Sequence, residues 1–321
     1  MDIEFIKNNL DKVLEVTDIK GIGERRQGKM RDVYTQTDKL ILVSTDRHSS
    51  FDRMLTAIPF KGQTLNQMSI FWFENTKDII QNHFMESPDL NVAVVKKCTP
   101  ILLEVVVRGY LTGVTDTSIW THYEKGERKF GGITLPDDMK KNTKLSGPIL
   151  TPTTKSEHDR PISSEEIVSE GILSKKVWDE ISTVAISLFK RGQEISAKAG
   201  LILVDTKYEF GIDSTDKLTL IDEIHTSDSS RYWYAKSFEE RFSKGEEPEY
   251  FDKEFLRLWF KNNCDPYNDP VLPEAPPELR AELSRRYIAI YEQLTGKKFE
   301  VDLSLPILDR IKKNLEKYAI S

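Results

Sequence analysis

The sequence contains few cysteines and no long apolar run. Cys98 and Cys264 are its only cysteines, and they form no Cys-x-x-Cys or Cys/His ligand spacing. This argues against a zinc site and a disulfide framework, and we predict a reducing compartment. No segment approaches about 18 uninterrupted apolar residues, and the first residues lack the basic and apolar regions of a signal peptide. We therefore expect a cytoplasmic protein with no membrane partner.

Basic residues are not in excess either. Lys and Arg total 46 against 52 Asp and Glu, which gives a formal net charge of −6. Counterion release cannot supply the main binding energy of such a chain, so we expect no nucleic-acid partner. With 31% charged and 10% aromatic residues, the chain can fill a core and cover a surface, unlike a disordered chain. Its 321 residues suffice for two domains or one large one.

Residues 1–108 have the pattern of a small antiparallel-sheet lobe. Apolar residues at helical spacing predict an opening helix over residues 3–15 and a second helix over residues 65–80. Short apolar runs predict strands over residues 39–44, 91–96 and 102–108.

Residues 109–321 predict a larger α+β lobe. A polar region with many Pro and Gly residues follows Gly109 and is expected to wrap a site. The longest helical pattern covers residues 174–198 and leads into a strand at 201–204. Later helices are expected over residues 252–262, 278–294 and 304–317. The first of these helices contains four apolar residues that form either core or a subunit interface, and core is the favoured alternative: Phe255, Leu258, Trp259 and Phe260. The sequence leaves the oligomeric state open. The whole predicts an α+β fold of two unequal lobes with a cleft between them.

A glycine-rich basic segment near the N-terminus is a candidate phosphate site. Gly23 and Gly28-Lys29 fit the start of the pattern G-x-x-x-x-G-K-[ST], but Met30 replaces the hydroxyl residue that binds magnesium. A buried strand before the segment is also missing. We therefore predict a β-hairpin whose bend lets backbone N–H groups and Lys29 approach a phosphate, as the Gly-rich loop of protein kinases does. An ordinary basic turn is the alternative.

Alternating charges follow the strand at 201–204. Asp205, Lys207 and Glu209 should share one face of a strand. If the next apolar run, residues 218–221, pairs with it as a hairpin, Asp222 returns beside this row. Carboxylates so close repel one another unless a cation lies among them, so we predict an Mg²⁺ ion bound by acids and nucleotide phosphates. A solvated ladder of salt bridges is the alternative.

Two arginines adjoin these core runs. Arg108 follows three valines, and Arg231 ends the segment Asp228-Ser229-Ser230-Arg231. Each guanidinium can bind a carboxylate or phosphate bidentately, with a surface salt bridge as the alternative. The loop at residues 46–52 adds hydroxyls and charges, or is simply a turn. His225 is expected to be structural, and no residues suggest a nucleophilic triad.

Five segments, in order, resemble the signature segments of the SAICAR synthetase family. The likeness covers residues 20–260. The segments are Gly28-Lys29-Met30-Arg31-Asp32-Val33-Tyr34, Ser44-Thr45-Asp46-Arg47-His48-Ser49-Ser50-Phe51-Asp52, Val106-Val107-Arg108-Gly109-Tyr110, Asp205-Thr206-Lys207-Tyr208-Glu209-Phe210-Gly211, and Leu220-Ile221-Asp222-Glu223 with Asp228-Ser229-Ser230-Arg231.

The resemblance implies an ATP-dependent ligase of purine biosynthesis. Such an enzyme joins the carboxylate of 5-amino-4-carboxyimidazole ribonucleotide to the amine of L-aspartate, and we expect an acyl phosphate as the intermediate. The resemblance also implies a small N-terminal lobe of the protein-kinase kind over a larger α+β lobe, with ATP in the cleft. The alternatives are a kinase-like phosphotransferase acting on a small hydroxyl acceptor and a nucleotide-sensing module. The sequence lacks the H-R-D and D-F-G motifs of protein kinases.

The resemblance also implies roles for individual residues. Gly28, Lys29 and Lys207 are expected at the ATP phosphates, and Asp205 lies nearby; Lys29, Lys207 and Asp205 are the candidate catalytic residues. Glu209 and Asp222 are the expected Mg²⁺ ligands. The ribonucleotide is expected to contact Arg108, Asp228, Ser230 and Arg231, with Ser49 as a further candidate. Where many family members carry Gly-Ser after the arginine strand, this chain has Gly113-Val114-Thr115-Asp116-Thr117-Ser118, so the substrate hydroxyl is Thr115, Ser118 or absent.

Overall fold

The strands and helices are taken from a computed structural model. It describes residues 1–320 except 52, 115–117, 156–159 and 252–253. The strands are β1 (Glu24–Gln27), β2 (Arg31–Thr35), β3 (Lys39–Ser44), β4 (Arg47–Ser50), β5 (Arg53–Ala57), β6 (Phe84–Asp89), β7 (Val92–Lys96), β8 (Thr99–Pro100), β9 (Leu103–Leu111), β10 (Lys129–Phe130), β11 (Ile133–Thr134), β12 (Thr143–Leu150), β13 (Thr153–Thr154), β14 (Leu201–Ile212), β15 (Leu218–Ile221) and β16 (Ser230–Tyr234). The helices are α1 (Ile3–Lys7), α2 (Lys61–Thr76), α3 (Ile119–Glu124), α4 (Ser164–Ser169), α5 (Lys175–Lys198), α6 (Ala235–Lys244), α7 (Glu254–Asn263), α8 (Pro277–Thr295) and α9 (Ile307–Asn314).

Two compact units divide the chain. Unit 1 contains residues 1–73 and 83–97 and the chain from residue 251 onward, and unit 2 contains residues 74–82 and 98–250. Both units combine helices with antiparallel ladders, so the predicted α+β fold is confirmed. The contacts divide the chain at positions other than residue 108, which lies within β9. The functional division into residues 1–108 and 109–321, and the kinase-like character of the first lobe, stay predictions.

The sheet of unit 1 has the strand order β1-β2-β3-β7-β6. Its inner face is apolar because side chains alternate along each strand: Ile41 and Val43 of β3 are fully buried, as are Val92 and Val94 of β7. Ile311 of α9 packs into the same core. The predicted antiparallel sheet in the first part of the chain is therefore confirmed, and part of its core comes from residues far along the sequence.

The opening helix is shorter than predicted. α1 ends at Lys7, whereas the apolar spacing predicted a helix to residue 15. The side chain of Asn9 donates to the backbone carbonyl of Phe5 at 2.7 Å, and such local bonds compete with helix continuation. Beyond this point Leu14 N donates instead to the buried carboxylate of Asp46 at 2.7 Å, which holds the chain against the sheet.

The late helices contribute core, as the favoured alternative predicted. Phe260 is fully buried with Tyr287 of α8, and Phe255 and Trp259 pack against the same cluster, while Leu258 is 46% exposed. α9 begins only at Ile307 because Pro306 precedes it and restricts the residues before it to extended conformations.

The sheet of unit 2 is built around β14. The strand order is β12-β9-β14-β15, and β16 and β8 also pair with β14. β14 extends from Leu201 to Ile212, well past the predicted strand at 201–204. α5 confirms the helix predicted over residues 174–198: its cap Ser174 accepts a hydrogen bond from Val177 N, and its apolar side is buried. β14 therefore carries the predicted acidic row across the centre of this sheet.

Two further predictions concern the whole chain. Cys98 and Cys264 form no disulfide. Among the helices that the structure describes, none has both the length and the apolar character needed to span a membrane.

Candidate active site

The acidic row of β14 meets Asp222 as the sequence predicted. β14 and β15 pair with Glu209 opposite Ile221, so Asp222 immediately follows the residue that lies opposite Glu209. Asp222 adopts a φ of 63°, a left-handed conformation in which the chain turns out of the strand. The hairpin therefore brings acids from two segments near Lys207, whose charge both Glu209 and Asp222 favour.

Lys207 lies among these acids. Its Nζ donates to Glu104 Oε1 at 2.7 Å and to Glu209 Oε1 at 3.2 Å. Burial opposes the charge of the ammonium group, but the carboxylates of Asp222, Glu104 and Glu209 outweigh it and raise the pKa of Lys207 well above its ordinary value. Lys207 is therefore a fixed cation at neutral pH.

Two members of this cluster were missed by sequence reasoning. Glu104 shares a face of β9 with Arg108, a relationship that alternation along residues 102–108 would have revealed. Lys155 donates to Glu209 Oε2 from a polar loop, where a lone lysine gives no signal. Glu104, Glu209 and Asp222 oppose two lysines, so the cluster carries one net negative charge.

The cluster has the composition of a magnesium site that phosphates complete. Among the residues described, no three His, Cys, Asp or Glu side chains are arranged as metal ligands. Mg²⁺ commonly binds through one or two carboxylates and takes phosphate oxygens and water for the rest of its shell. Glu209 and Asp222 offer two such carboxylates, and their role as Mg²⁺ ligands stays a prediction.

Asp205 lies between two arginines on neighbouring strands. It is opposite Arg108 of β9 on one side and opposite Arg231 of β16 on the other. Asp205 Oδ2 lies 3.3 Å from Arg108 Nη1 and 3.5 Å from Arg231 Nη1. Burial lowers the pKa of Arg108 and Arg231 adds to this effect, while Asp205 opposes it. Two guanidiniums share one carboxylate, so this row suits an anionic group of a substrate.

The other predicted ribonucleotide contacts of unit 2 lie at different places. Ser230 Oγ is 2.7 Å from Thr206 Oγ1, and because Thr206 neighbours Asp205 in β14, this pair lies on the opposite face of the strand. Asp228 lies in the turn before β16, with its N–H donating to Thr226 Oγ1 at 3.3 Å. Ser118 caps α3 by accepting from Thr121 N. Thr115 lies outside the described residues.

His225 is structural, as expected. Its ring is fully buried with Nε2 2.5 Å from Tyr208 Oη. Burial lowers the pKa of His225 to about 3, so the imidazole is neutral at ordinary pH. The pair connects the segment after Asp222 to the middle of β14.

The glycine-rich segment of unit 1 forms the predicted hairpin. β1 and β2 pair with Gln27 opposite Asp32, and Gly28 N donates to Arg31 O at 2.8 Å. Gly28 and Lys29 therefore lie on a tight bend. Ser49 lies on β4 opposite Met54 of β5. The hairpin is confirmed, and the contact of these residues with phosphate or substrate stays a prediction.

Comparison with known proteins assigns the family. The SAICAR synthetase family model matches residues 24–273. The chain is 54% identical over 298 residues to the phosphoribosylaminoimidazole-succinocarboxamide synthase of Legionella pneumophila (strain Paris), covering 92% of this chain and 96% of that protein. The chain belongs to the SAICAR synthetase family.

Other members of the SAICAR synthetase family support the same conclusion. The chloroplastic phosphoribosylaminoimidazole-succinocarboxamide synthase of Arabidopsis thaliana is 54% identical, with 96% of this chain and 77% of that protein covered. The solved structure of the SAICAR synthase of Saccharomyces cerevisiae, complexed with SAICAR, matches with a TM-score of 0.78 and 31% sequence identity. The match covers 90% of this chain and 100% of the yeast chain. A SAICAR synthetase solved in complex with ADP matches with a TM-score of 0.66 and 26% sequence identity. The match covers 87% of this chain and 100% of that chain.

Family membership confirms the predicted class of activity. The chain is an ATP-dependent ligase of the SAICAR synthetase family, which acts in purine biosynthesis, and the kinase-like alternative is not favoured.

Proposed function

We propose that this chain joins 5-amino-4-carboxyimidazole ribonucleotide to L-aspartate by using two groups of side chains that meet on β14. The first group is the arginine row, which consists of Arg108, Asp205 and Arg231, and the second is the acidic cluster around Lys207. The observation that carries the proposal is that Asp205 and Lys207 lie two residues apart on the same face of one strand. Asp205 lies between Arg108 and Arg231, and two residues later Lys207 contacts Glu104 and Glu209. A site for an anionic substrate thus adjoins a site for phosphate and metal.

The arginine row is the proposed ribonucleotide site. Both the phosphate and the carboxylate of this substrate are anions that a guanidinium can bind through parallel hydrogen bonds. Asp205 fixes the two arginines without cancelling their combined charge. We propose three additional contacts to the ribonucleotide, from Asp228, Ser230 and Ser49.

Lys207 and the acids are the proposed phosphate and metal site. Binding of ADP by a relative of this fold supports ATP as the nucleotide, and Gly28 and Lys29 are proposed to bind its phosphates. We propose that Glu209 and Asp222 hold Mg²⁺, which when bound offsets charge on the phosphate oxygens. Lys207 would donate to a phosphate oxygen and stabilise negative charge as the phosphoryl group is transferred.

Two successive steps give the product. A carboxylate oxygen of the ribonucleotide attacks the γ-phosphorus of ATP, the bond to ADP breaks, and an acyl phosphate forms. The uncharged amine of aspartate then attacks the acyl carbon, inorganic phosphate leaves, and the nitrogen loses a proton to give the amide. ATP is needed because the carboxylate itself would have to expel oxide. A covalent enzyme intermediate is unnecessary, which agrees with a sequence that suggests no nucleophilic triad.

A substrate-omission assay tests the proposal. ADP release is followed with ATP, the ribonucleotide and aspartate all present, and then with each omitted in turn. We expect sustained ADP release only with all three, and the amide product in equal amount. ADP release with a simple hydroxyl acceptor, or nucleotide binding without turnover, would contradict the proposal. The cytoplasmic location stays a prediction.

A further inference from the structure

Arg47 is a buried arginine of unit 1 that directly contacts the Gly28–Lys29 bend. It is 2% exposed, and Asp32 beside it is fully buried. Its Nη2 donates to Gly28 O at 2.9 Å and to Asp32 Oδ1 at 2.8 Å, and its Nε donates to Lys29 O at 3.1 Å. Its Nη1 donates to the carbonyl of Glu15. One guanidinium therefore holds two successive carbonyls of the bend.

These bonds fix the orientation of two peptide planes. In a trans peptide, the C=O of one residue points opposite to the N–H of the next. Because the carbonyls of Gly28 and Lys29 point at Arg47, the N–H groups of Lys29 and Met30 point away from it. Thr45 continues the pattern, since its N and Oγ1 both donate to Met30 O, at 3.0 and 2.7 Å.

Successive N–H groups directed to one side form a concavity that binds anions. We propose that Arg47 is a positioning residue for the ATP phosphates: it holds the carbonyls of the bend inward and so presents the N–H groups of Lys29 and Met30 to the nucleotide. This proposal rests on the proposed function, in which Gly28 and Lys29 bind those phosphates. Arg47 itself stays on the opposite side of the bend from the nucleotide.

The chemistry of the site calls for arginine. Asp32 offsets the charge of Arg47, and although burial opposes it, hydrogen bonds from Thr17 and Arg47 lower the pKa of Asp32 and keep it ionised. The guanidinium of Arg47 is planar, and its N–H donors reach acceptors in several directions. The single ammonium of a lysine has a different geometry and cannot reproduce this set.

The test compares ADP with adenosine, which lacks phosphates. The variant Arg47→Lys keeps a cation beside Asp32 but loses the fork. We expect its ADP affinity, measured by calorimetry, to fall about tenfold, the equivalent of one net hydrogen bond. Its adenosine affinity, measured by competition, should stay within about twofold of wild type, and KM for ATP should rise more than kcat falls. A merely structural role would not make the loss depend on phosphates.

Arg310 supplies the matched control. It is a buried arginine of unit 1 that pairs with the buried Asp89 and donates to Asp302 O, but its contacts do not include the bend. Arg310→Lys should lower the thermal midpoint while leaving the ratio of ADP to adenosine affinity unchanged. An Arg47→Lys protein that folds and keeps the wild-type ratio would overturn the proposal.

Two more measurements separate the possible failures. Lys29→Met should weaken ADP binding; if it does not, the phosphate site of the proposed function is wrong. If Lys29→Met weakens ADP while Arg47→Lys leaves it unchanged, the role of Arg47 alone is refuted. Should Arg47→Lys fail to fold, the wild-type protein carries the test through the backbone amide resonances of Lys29 and Met30 in NMR titrations. We expect ADP to shift both resonances and adenosine to leave them in place; resonances that ADP leaves in place would refute the proposal.

Discussion

Lys207 Nζ lies 2.7 Å from Glu104 Oε1, across the two central strands of unit 2. The same ammonium group also contacts Glu209, so it holds together carboxylates that would otherwise repel one another. Lys207 is consequently a counterion for these carboxylates, and we propose that it also donates to phosphate.

Replacing Lys207 by Met should abolish most of the activity. The variant loses the donor that stabilises charge on the transferred phosphoryl group, and we expect kcat to fall about 10²–10³-fold. Steady-state assays at saturating substrates measure it. Lys217→Met, at an exposed position of the same hairpin, should keep wild-type kcat. A Lys207→Met enzyme within about twofold of wild type would contradict the assigned role.

Replacing Asp222 by Asn should separate metal binding from folding. Asn adopts a positive φ readily, so the backbone at Asp222 is retained while the anionic ligand is lost. We expect most of kcat to disappear and the Mg²⁺ concentration for half-maximal activity to rise. Asp216 also has a positive φ, of 58°, and lies exposed in the same hairpin, so Asp216→Asn is the matched control. Near wild-type turnover of Asp222→Asn at saturating Mg²⁺ would rule out the ligand assignment.

His225 should make stability fall in acid. Burial lowers the pKa of His225 from 6.5 to about 3, so between these values the unfolded chain binds a proton that the folded chain lacks. The contribution of the neutral His225 to the free energy of unfolding is complete above about pH 6.5 and is lost as the pH falls toward about 3. At about pH 5 the loss is about 2 kcal/mol.

The histidine contribution can be isolated with His225→Gln. The difference in unfolding free energy between wild type and variant should shrink by about 2 kcal/mol from about pH 7 to about pH 5. It should be flat between about pH 7 and pH 8, where the histidine is neutral in both states. A pH-independent difference would show that His225 titrates normally.

Gly192 should not tolerate a side chain. It lies on α5, and a Cβ there would come 2.6 Å from both His225 Cε1 and Leu203 Cδ2. Gly192→Ala should therefore destabilise the protein by about 1–3 kcal/mol, as overpacking of a close-packed interior does. Denaturant unfolding measures it. Gly147→Ala adds a methyl group with no described heavy atom within 4 Å of it, and should change stability by less than about 0.5 kcal/mol.

The sequence was sufficient to predict the structural features that depend on local patterns of residues. Alternation and turn residues predicted the acidic row of β14 and a possible hairpin with residues 218–221, whereas the register that places Glu209 opposite Ile221 came from the structure. The apolar stripe of residues 174–198 predicted α5, since a 3.6-residue period is a local feature of the sequence.

The remainder depends on contacts between distant segments. Lys155 donates to Glu209 from a loop, and Leu14 N donates to Asp46, which lies 32 residues away in sequence. The sequence around these residues does not indicate either partner. The opening helix was overpredicted because the apolar spacing of residues 3–15 also serves an extended segment packed on the sheet. Alternation along β16 directs the hydroxyl of Ser230 to Thr206 rather than to the arginine row, and its contact with the ribonucleotide stays a prediction.

The discontinuous composition of unit 1 has a consequence for synthesis on the ribosome. Its core takes Ile311, Phe260 and Tyr287 from the chain beyond residue 251, whereas unit 2 has all of its described strands by Tyr234. Domains fold as their residues emerge during translation. Unit 2 can thus acquire its native strand pairing while the sheet that carries Gly28 and Lys29 still lacks Ile311 of α9 in its core.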